Sequence, residues 1–323
     1  MRLSVARAVA IGLILLAKNA SAQQTAEPSL ILLTQCGRFH LVLGRIHLDS
    51  FHYKKVRLHR TCEHSPNDEE FVCVTANEAT PSLHYLRQSG STRVTIDTTQ
   101  CDIVRIESKT SHSSGVQETL LIDQQATQPI QIVHAIGSSK RTFESTSFWH
   151  LMAQEPDWFD QHVRPLLSLM LHRCELQRSA DAIQQRLKAQ SQGAPSITQQ
   201  FVDRQVERLA SSSRSERIDA QRQLVSAGVG ILPLLEQIDQ RQLDIEQKSL
   251  IQKLERKLSS ARVDTPDRVA AWLATDREYW ILASRDWSSG NRQQAHEFMI
   301  ATCGVGLDES NTSLARQNNQ RYR

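Results

Sequence analysis

What this chain lacks narrows its chemistry first. It has no GxSxG elbow, no HExxH pair and no Walker-type glycine loop, so a serine hydrolase, a zincin or a nucleotide enzyme would have to work without its usual signature. None of its six cysteines stands in a CxxC pair, which removes zinc ribbons and thioredoxin-like redox centres. Beyond the first twenty residues no apolar run reaches the length of a membrane-spanning helix. Aromatic residues are scarce, at 5%, and Trp272, Tyr279, Trp280 and Trp287 fall in one short stretch whose helical spacing marks them as core rather than as a ligand platform.

What is present begins with a leader. Arg2 and Arg7 precede an apolar run from Ala8 to Ala17 broken only by Gly12, and Ala20-Ser21-Ala22 supplies a small-x-small cleavage pattern. Residues 1–22 are therefore expected to be a signal peptide cut before Gln23, and the mature protein to be exported, periplasmic or extracellular, with no membrane span after cleavage. Cleavage takes away Arg2, Arg7 and Lys18 and no acid, so the 38 basic side chains fall to 35 and equal the 35 acidic ones. That balance removes the global electrostatic case for nucleic acid or an anionic membrane as partner. A local basic run remains at Arg38, Arg45, Lys54, Lys55, Arg57 and Arg60, followed by Glu63, Asp68, Glu69 and Glu70. Either the two segments neutralise each other across a sheet, or Lys54, Lys55 and Arg57 form an anion-binding face.

Cys36, Cys62, Cys73, Cys101, Cys174 and Cys303 are an even set in a chain sent to an oxidising compartment. A disulfide between Cys62 and Cys73 is expected, because the polar segment between them resembles a hairpin loop; buried inert thiols are the alternative.

The fold class is expected to be α+β. From residues 23 to 145 short runs of β-branched residues alternate with polar ones: Phe39, Leu41 and Leu43, then Ile46 and Leu48 after a parity switch at Gly44, then stretches at 56–58, 71–74, 83–86, 94–96, 103–106, 120–122 and 130–136. This pattern predicts an antiparallel β-sandwich or barrel-like domain, with a bulge or tight turn at Gly44. Residues 146–198 read as a helical bridge and linker, opened by a Ser147 cap. Residues 199–304 read as a helical domain, with capping boxes at Ser213/Glu216 and Thr275/Glu278. Residues 305–323 read as a disordered tail that contains the glycosylation pattern Asn311-Thr312-Ser313.

Within the helical block, a helix runs into the tight turn Ala227-Gly228-Val229-Gly230 and is followed by Ile231-Leu232-Pro233-Leu234-Leu235-Glu236. This resembles a unit of the HEAT and armadillo class of helical repeats over about Phe201 to Leu258, extending degenerately to Cys303; a plain helical bundle is the other reading. The resemblance implies a protein-binding or structural role through an extended surface and implies no catalytic residues.

His40, His47, His52, His59 and His64 invite a metal hypothesis. Their 7, 5, 7, 5 spacing opposes it, since in a strand residues an odd number apart face opposite ways and only His40 with His52, and His47 with His59, share parity. No metal site, cofactor or catalytic residue is assigned; His296 and Cys303, seven apart, are expected to serve packing or a helix cap. The expected function is a non-catalytic exported scaffold that engages a protein partner through its helical surface. The alternative is a module binding an anionic glycan or small molecule through the basic β face.

Overall fold

The computed structural model describes residues 31–50, 55–62, 65–77, 80–99, 102–171, 176–260 and 262–307. The leader, Lys54, His52, His64, Cys101, Cys174 and Asn311 lie outside the described residues. From Leu32 onward the chain clusters as one unit.

A short helix α1 (Ile31–Cys36) leads into the hairpin β1 (Gly37–Val42) and β2 (Arg45–Ser50). Eight further strands follow: β3 (Val56–Cys62), β4 (Ser65–Asn77), β5 (Thr80–Ser89), β6 (Thr92–Thr99), β7 (Ile103–Ser111), β8 (Gln117–Gln124), β9 (Ile130–Ile136) and β10 (Ser139–Ser145). They form one antiparallel up-and-down sheet in sequence order, with β3 and β10 at its two edges. Because those edges do not pair, the sheet is open, and the barrel expected as one alternative is not formed.

Alternation explains which face is dry. The register aligns Val72, Tyr85, Ile96, Ile106, Ile122, Ile132 and Phe143 as a row across the sheet, and every one of them is buried. The opposite face carries partly exposed or exposed polar side chains such as His84, Asp97, Arg105 and Asp123. The β1–β2 hairpin meets the sheet where the Ile46 backbone bonds the buried Gln124 side chain of β8. Ile46 and Leu48 are almost completely buried, each contributing about 1.5–3 kcal/mol through the apolar surface it removes from water.

A buried amide fixes the hairpin's position on the sheet. Gln124 of β8 accepts the Ile46 amide at 2.8 Å and donates to the Ile46 carbonyl at 2.8 Å and to the Asp102 carbonyl at 2.6 Å. An unpaired amide in that place would cost about 1–3 kcal/mol; here both ends are paired.

After β10 the chain is helical: α2 (Phe148–Gln154), α3 (Pro156–Trp158), a π-helical turn (Phe159–Val163), α4 (Arg164–Met170), α5 (Leu176–Gln190), α6 (Gln199–Leu209), α7 (Arg214–Ala227), α8 (Leu232–Leu235), α9 (Ile245–Ser259), α10 (Pro266–Leu273), α11 (Arg277–Ala283) and α12 (Ser289–Cys303). Where a repeat unit would carry its second long helix, α8 is a single turn that begins beside Pro233. Gly230 lets that turn press against α10: a Cβ there would meet the Ala271 carbonyl oxygen at 2.8 Å.

The caps differ from the expected pairs. Glu216 is held by the Ser211 hydroxyl at 2.5 Å instead of closing a box with Ser213. Asp276 caps α11, while the Thr275 hydroxyl donates to the Gly230 carbonyl at 2.6 Å. The complete capping box is Asp244 with Gln247, at the start of α9. Among the described residues no helix is long and apolar enough to cross a membrane.

Candidate functional site

The hairpin turn borders a cleft. Leu43 and Gly44 both take positive φ, 49° and 68°, as a two-residue turn between tightly paired strands requires. Their amides point at Asp264, in the loop before α10, whose carboxylate accepts Leu43 N–H at 2.7 Å, Gly44 N–H at 2.6 Å and the Trp149 indole N–H at 3.0 Å. The Asp264 amide in turn donates to the Leu41 carbonyl at 2.8 Å. Burial pushes the Asp264 carboxyl above its ordinary range, against the pull of those three donors and the Arg268 charge.

Beside this clamp lies a cavity of about 680 Å³ between β1, α5 and the loop that carries Asp264. Phe39, Leu41, Trp149, Leu171 and Ile183 form its apolar wall, and Arg38, Arg178 and Arg186 line it as well. Arg186 also pairs with Asp267 at 2.5 Å. Among the described lining residues the one carboxylate is Asp264, and its oxygens are already engaged. The cleft thus joins an apolar body to a positive field.

His40 lines the same cleft, and the hairpin sets it directly opposite His47. Their rings are 5.2 Å apart. Counting parity along one continuous strand had separated them; the turn at Leu43 and Gly44 folds the chain back so that both project from one face, together with Asp49 two residues beyond His47. His40 Nδ1 lies 3.5 Å from Asp49 Oδ2, and His47 Nε2 lies 3.8 Å from Asp49 Oδ1. His40 is only 6% exposed, yet neither ring nitrogen has a hydrogen-bond partner of good geometry. Desolvation lowers its pKa, against the pull of Asp49 and Asp264. The other expected same-parity pair, His47 with His59, is not brought together: β2 and β3 belong to different sheets, and His59 faces Glu69 at 3.9 Å.

A second cluster has different chemistry. Glu118 on β8 gathers His134 at 2.8 Å, His112 at 3.0 Å and His162 at 3.5 Å. The Trp158 indole N–H, which can only donate, points at His134 Nδ1 at 3.3 Å. His134 therefore carries its proton on Nε2 and gives it to Glu118, so both nitrogens are occupied. Burial alone would raise the Glu118 carboxyl, but the hydrogen bonds from His134 and His112 and the nearby His162 outweigh it and hold the group below its usual range.

A third constellation looks like a hydrolytic triad and is closed. Ser147 Oγ lies 2.8 Å from His150 Nδ1, and His150 Nε2 lies 3.0 Å from Asp276. The order is reversed from a working triad, in which serine meets Nε2 and the carboxylate meets Nδ1. Ser147 is 0% exposed and His150 1%, and the hydroxyl also caps α2 by accepting the His150 amide. The three residues tie α2 to α11.

The remaining expected site residues are dispersed. Lys55 and Arg57 are exposed at the β3 edge and do not line the cleft. The expected disulfide between Cys62 and Cys73 is not formed: Cys73 is a free thiol. Register explains why, since Cys73 stands opposite Arg57 while Cys62 stands opposite Ser65. Five residues of strand separate Arg57 from Cys62, roughly 16 Å, far beyond the reach of a bridge. His296 Nδ1 accepts the Leu307 amide, and the Cys303 thiol donates to the Met299 carbonyl, so each serves the end of α12.

No family model matches this chain, and neither a curated protein nor a solved structure matches it.

Proposed function

We propose that this is an exported, non-catalytic binding protein whose cleft between β1, α5 and the Asp264 loop takes an anionic small molecule with an apolar body. The observation that carries the reading is the joining of three arginines, Arg38, Arg178 and Arg186, to an apolar cavity of about 680 Å³, a size ordinary for a ligand pocket. The basic segment noted in the sequence contributes through Arg38 rather than through Lys54, Lys55 and Arg57. An apolar wall suits a fatty or aromatic carboxylate better than a glycan, whose hydroxyls would lie against it without hydrogen-bond partners.

The alternative, a helical docking scaffold, has less support. α5 covers part of α10 and α2 covers part of α11, and the large apolar side chains left exposed on the helical block, among them Ile218, Ile245 and Ile300, are scattered singly.

Titration with anilinonaphthalene sulfonate, and competition by dodecanoate, tests the reading. One saturable site is expected, weakened about tenfold or more by Arg38→Glu with Arg178→Glu and untouched by Lys55→Glu with Arg57→Glu. Non-saturable binding, or equal loss in both variants, would rule the cleft out. Export has its own test: the protein recovered from its host should begin at Gln23.

A further inference from the structure

We infer that His40, His47 and Asp49 form a binding site for a divalent first-row transition ion, built on one face of the β1–β2 hairpin. Two imidazoles and a carboxylate are the donor set that zinc, cobalt and ferrous iron accept, and here all three come from two paired strands, positions as rigid as the ladder that holds them. Four ligands bound at about 2.1 Å to a tetrahedral ion stand about 3.4 Å from one another. His40 Nδ1 stands 3.5 Å from Asp49 Oδ2, close to that edge, and His47 Nε2 stands 3.8 Å from the other oxygen, Oδ1; with one donor atom taken from each residue, all three lie within 4.8 Å of one another. Asp49, with its side chain 57% exposed, opens the site to solvent. Three protein ligands leave the fourth position to water.

The second, independent observation is His40 itself. A buried imidazole whose two nitrogens make no hydrogen bond of good geometry costs free energy, and an ion ligated by one of them removes part of that cost. The Glu118 cluster supplies the contrast. It too holds a carboxylate and two histidines within the same range, but ligation through His134 Nε2 would move its proton to Nδ1, against the Trp158 N–H that already points there. Of the two clusters, only the hairpin has a buried nitrogen waiting for a partner. His40 also lines the cleft, but the inference does not rest on the cleft's proposed ligand, because all three donors come from the hairpin.

The test uses the full chain stripped of metal with a chelator and titrated with Zn²⁺ and with Co²⁺. One equivalent should bind and raise the thermal midpoint, and bound Co²⁺ should show the visible bands of four-coordination. Asp49→Asn with His47→Gln, both partly exposed positions, should keep the metal-free midpoint and weaken binding at least about tenfold. Glu118→Gln should leave stoichiometry unchanged. Should the double variant not fold, His47→Gln alone carries the same expectation. No binding in excess metal, undiminished binding in the hairpin variants, loss of the site in Glu118→Gln, or a sulfur-to-cobalt charge-transfer band showing cysteine ligation would each overturn the assignment.

Discussion

Asp264 and Gly44 stand 220 residues apart in the chain, yet the Asp264 carboxylate accepts the Gly44 amide at 2.6 Å. With Leu43 and Trp149 on the same carboxylate, this contact binds the hairpin turn to the helical block. Asp264→Asn turns one acceptor oxygen into an NH₂ that must face an N–H donor, and it should cost about 1–3 kcal/mol in chemical denaturation. A variant as stable as the parent would mean that the clamp holds nothing.

Gly44 has two reasons to be glycine, and a paired comparison separates them. Its φ is positive, and an added Cβ would lie 2.5 Å from Trp149 Cδ1 and 2.7 Å from Ser147 Cβ. Gly90 is also at positive φ but has nothing within 4 Å. Gly90→Ala should cost about 1 kcal/mol from conformation alone, and Gly44→Ala about 1–3 kcal/mol more. Equal costs would show that close packing at the turn adds nothing.

Glu118 should make stability depend on acid pH. A carboxyl held below its unfolded value of 4.5 contributes stability that is fully present above that value and is lost as pH falls through its folded value. Glu118→Gln should therefore be less stable than the parent by about 1–3 kcal/mol at neutral pH, with the gap closing below pH 4.5. A gap that does not change with pH would show that the carboxylate charge is not what the histidines hold.

Ser147 should behave as a structural hydroxyl. A fluorophosphonate should fail to label it in the folded protein, while Ser147→Ala should cost about 1–2 kcal/mol through the lost cap and the lost partner of His150. Stoichiometric labelling at neutral pH would reopen the hydrolytic reading.

The thiols should divide by burial. Cys73 is partly exposed, whereas burial pushes the Cys36 and Cys303 thiols above the ordinary thiol range. Native alkylation followed by peptide mass analysis should mark Cys73 and reach Cys36 and Cys303 only in denaturant. A Cys73 that is blocked until reduction would show that it pairs with another cysteine.

The strands were legible in the sequence because one face of the sheet is dry and the other wet, so period two survives in Val94 and Ile96 or Val104 and Ile106. β10 escaped because its sequence, Ser139 to Ser145, buries little besides Phe143 and shows no alternation of residue type. The parity switch at Gly44 predicts a bulge or a turn; the structure has a turn there, and that turn is also what unites His40 and His47. Both stand equally far from Leu43–Gly44, so a hairpin drawn from that switch would have paired them, where counting along one strand drove them apart. The Asp264 clamp, Gln124 and the Trp158 to His134 bond had no such signal. Each is a polar side chain that meets a backbone or ring far away in sequence, and nothing local marks the partner.

The eight-stranded sheet has two edges that no described strand covers, β3 and β10. Exposed strand edges invite a second copy to add itself by backbone pairing, the first step toward fibres. Along β3 stand Arg57 and Arg60, with Lys55 just before them, and along β10 stand Lys140 and Arg141, all exposed. Two copies approaching edge to edge would bring like charges together. The basic run that first suggested an anion-binding face has a plainer consequence here: it opposes the pairing of one copy's edge with another's.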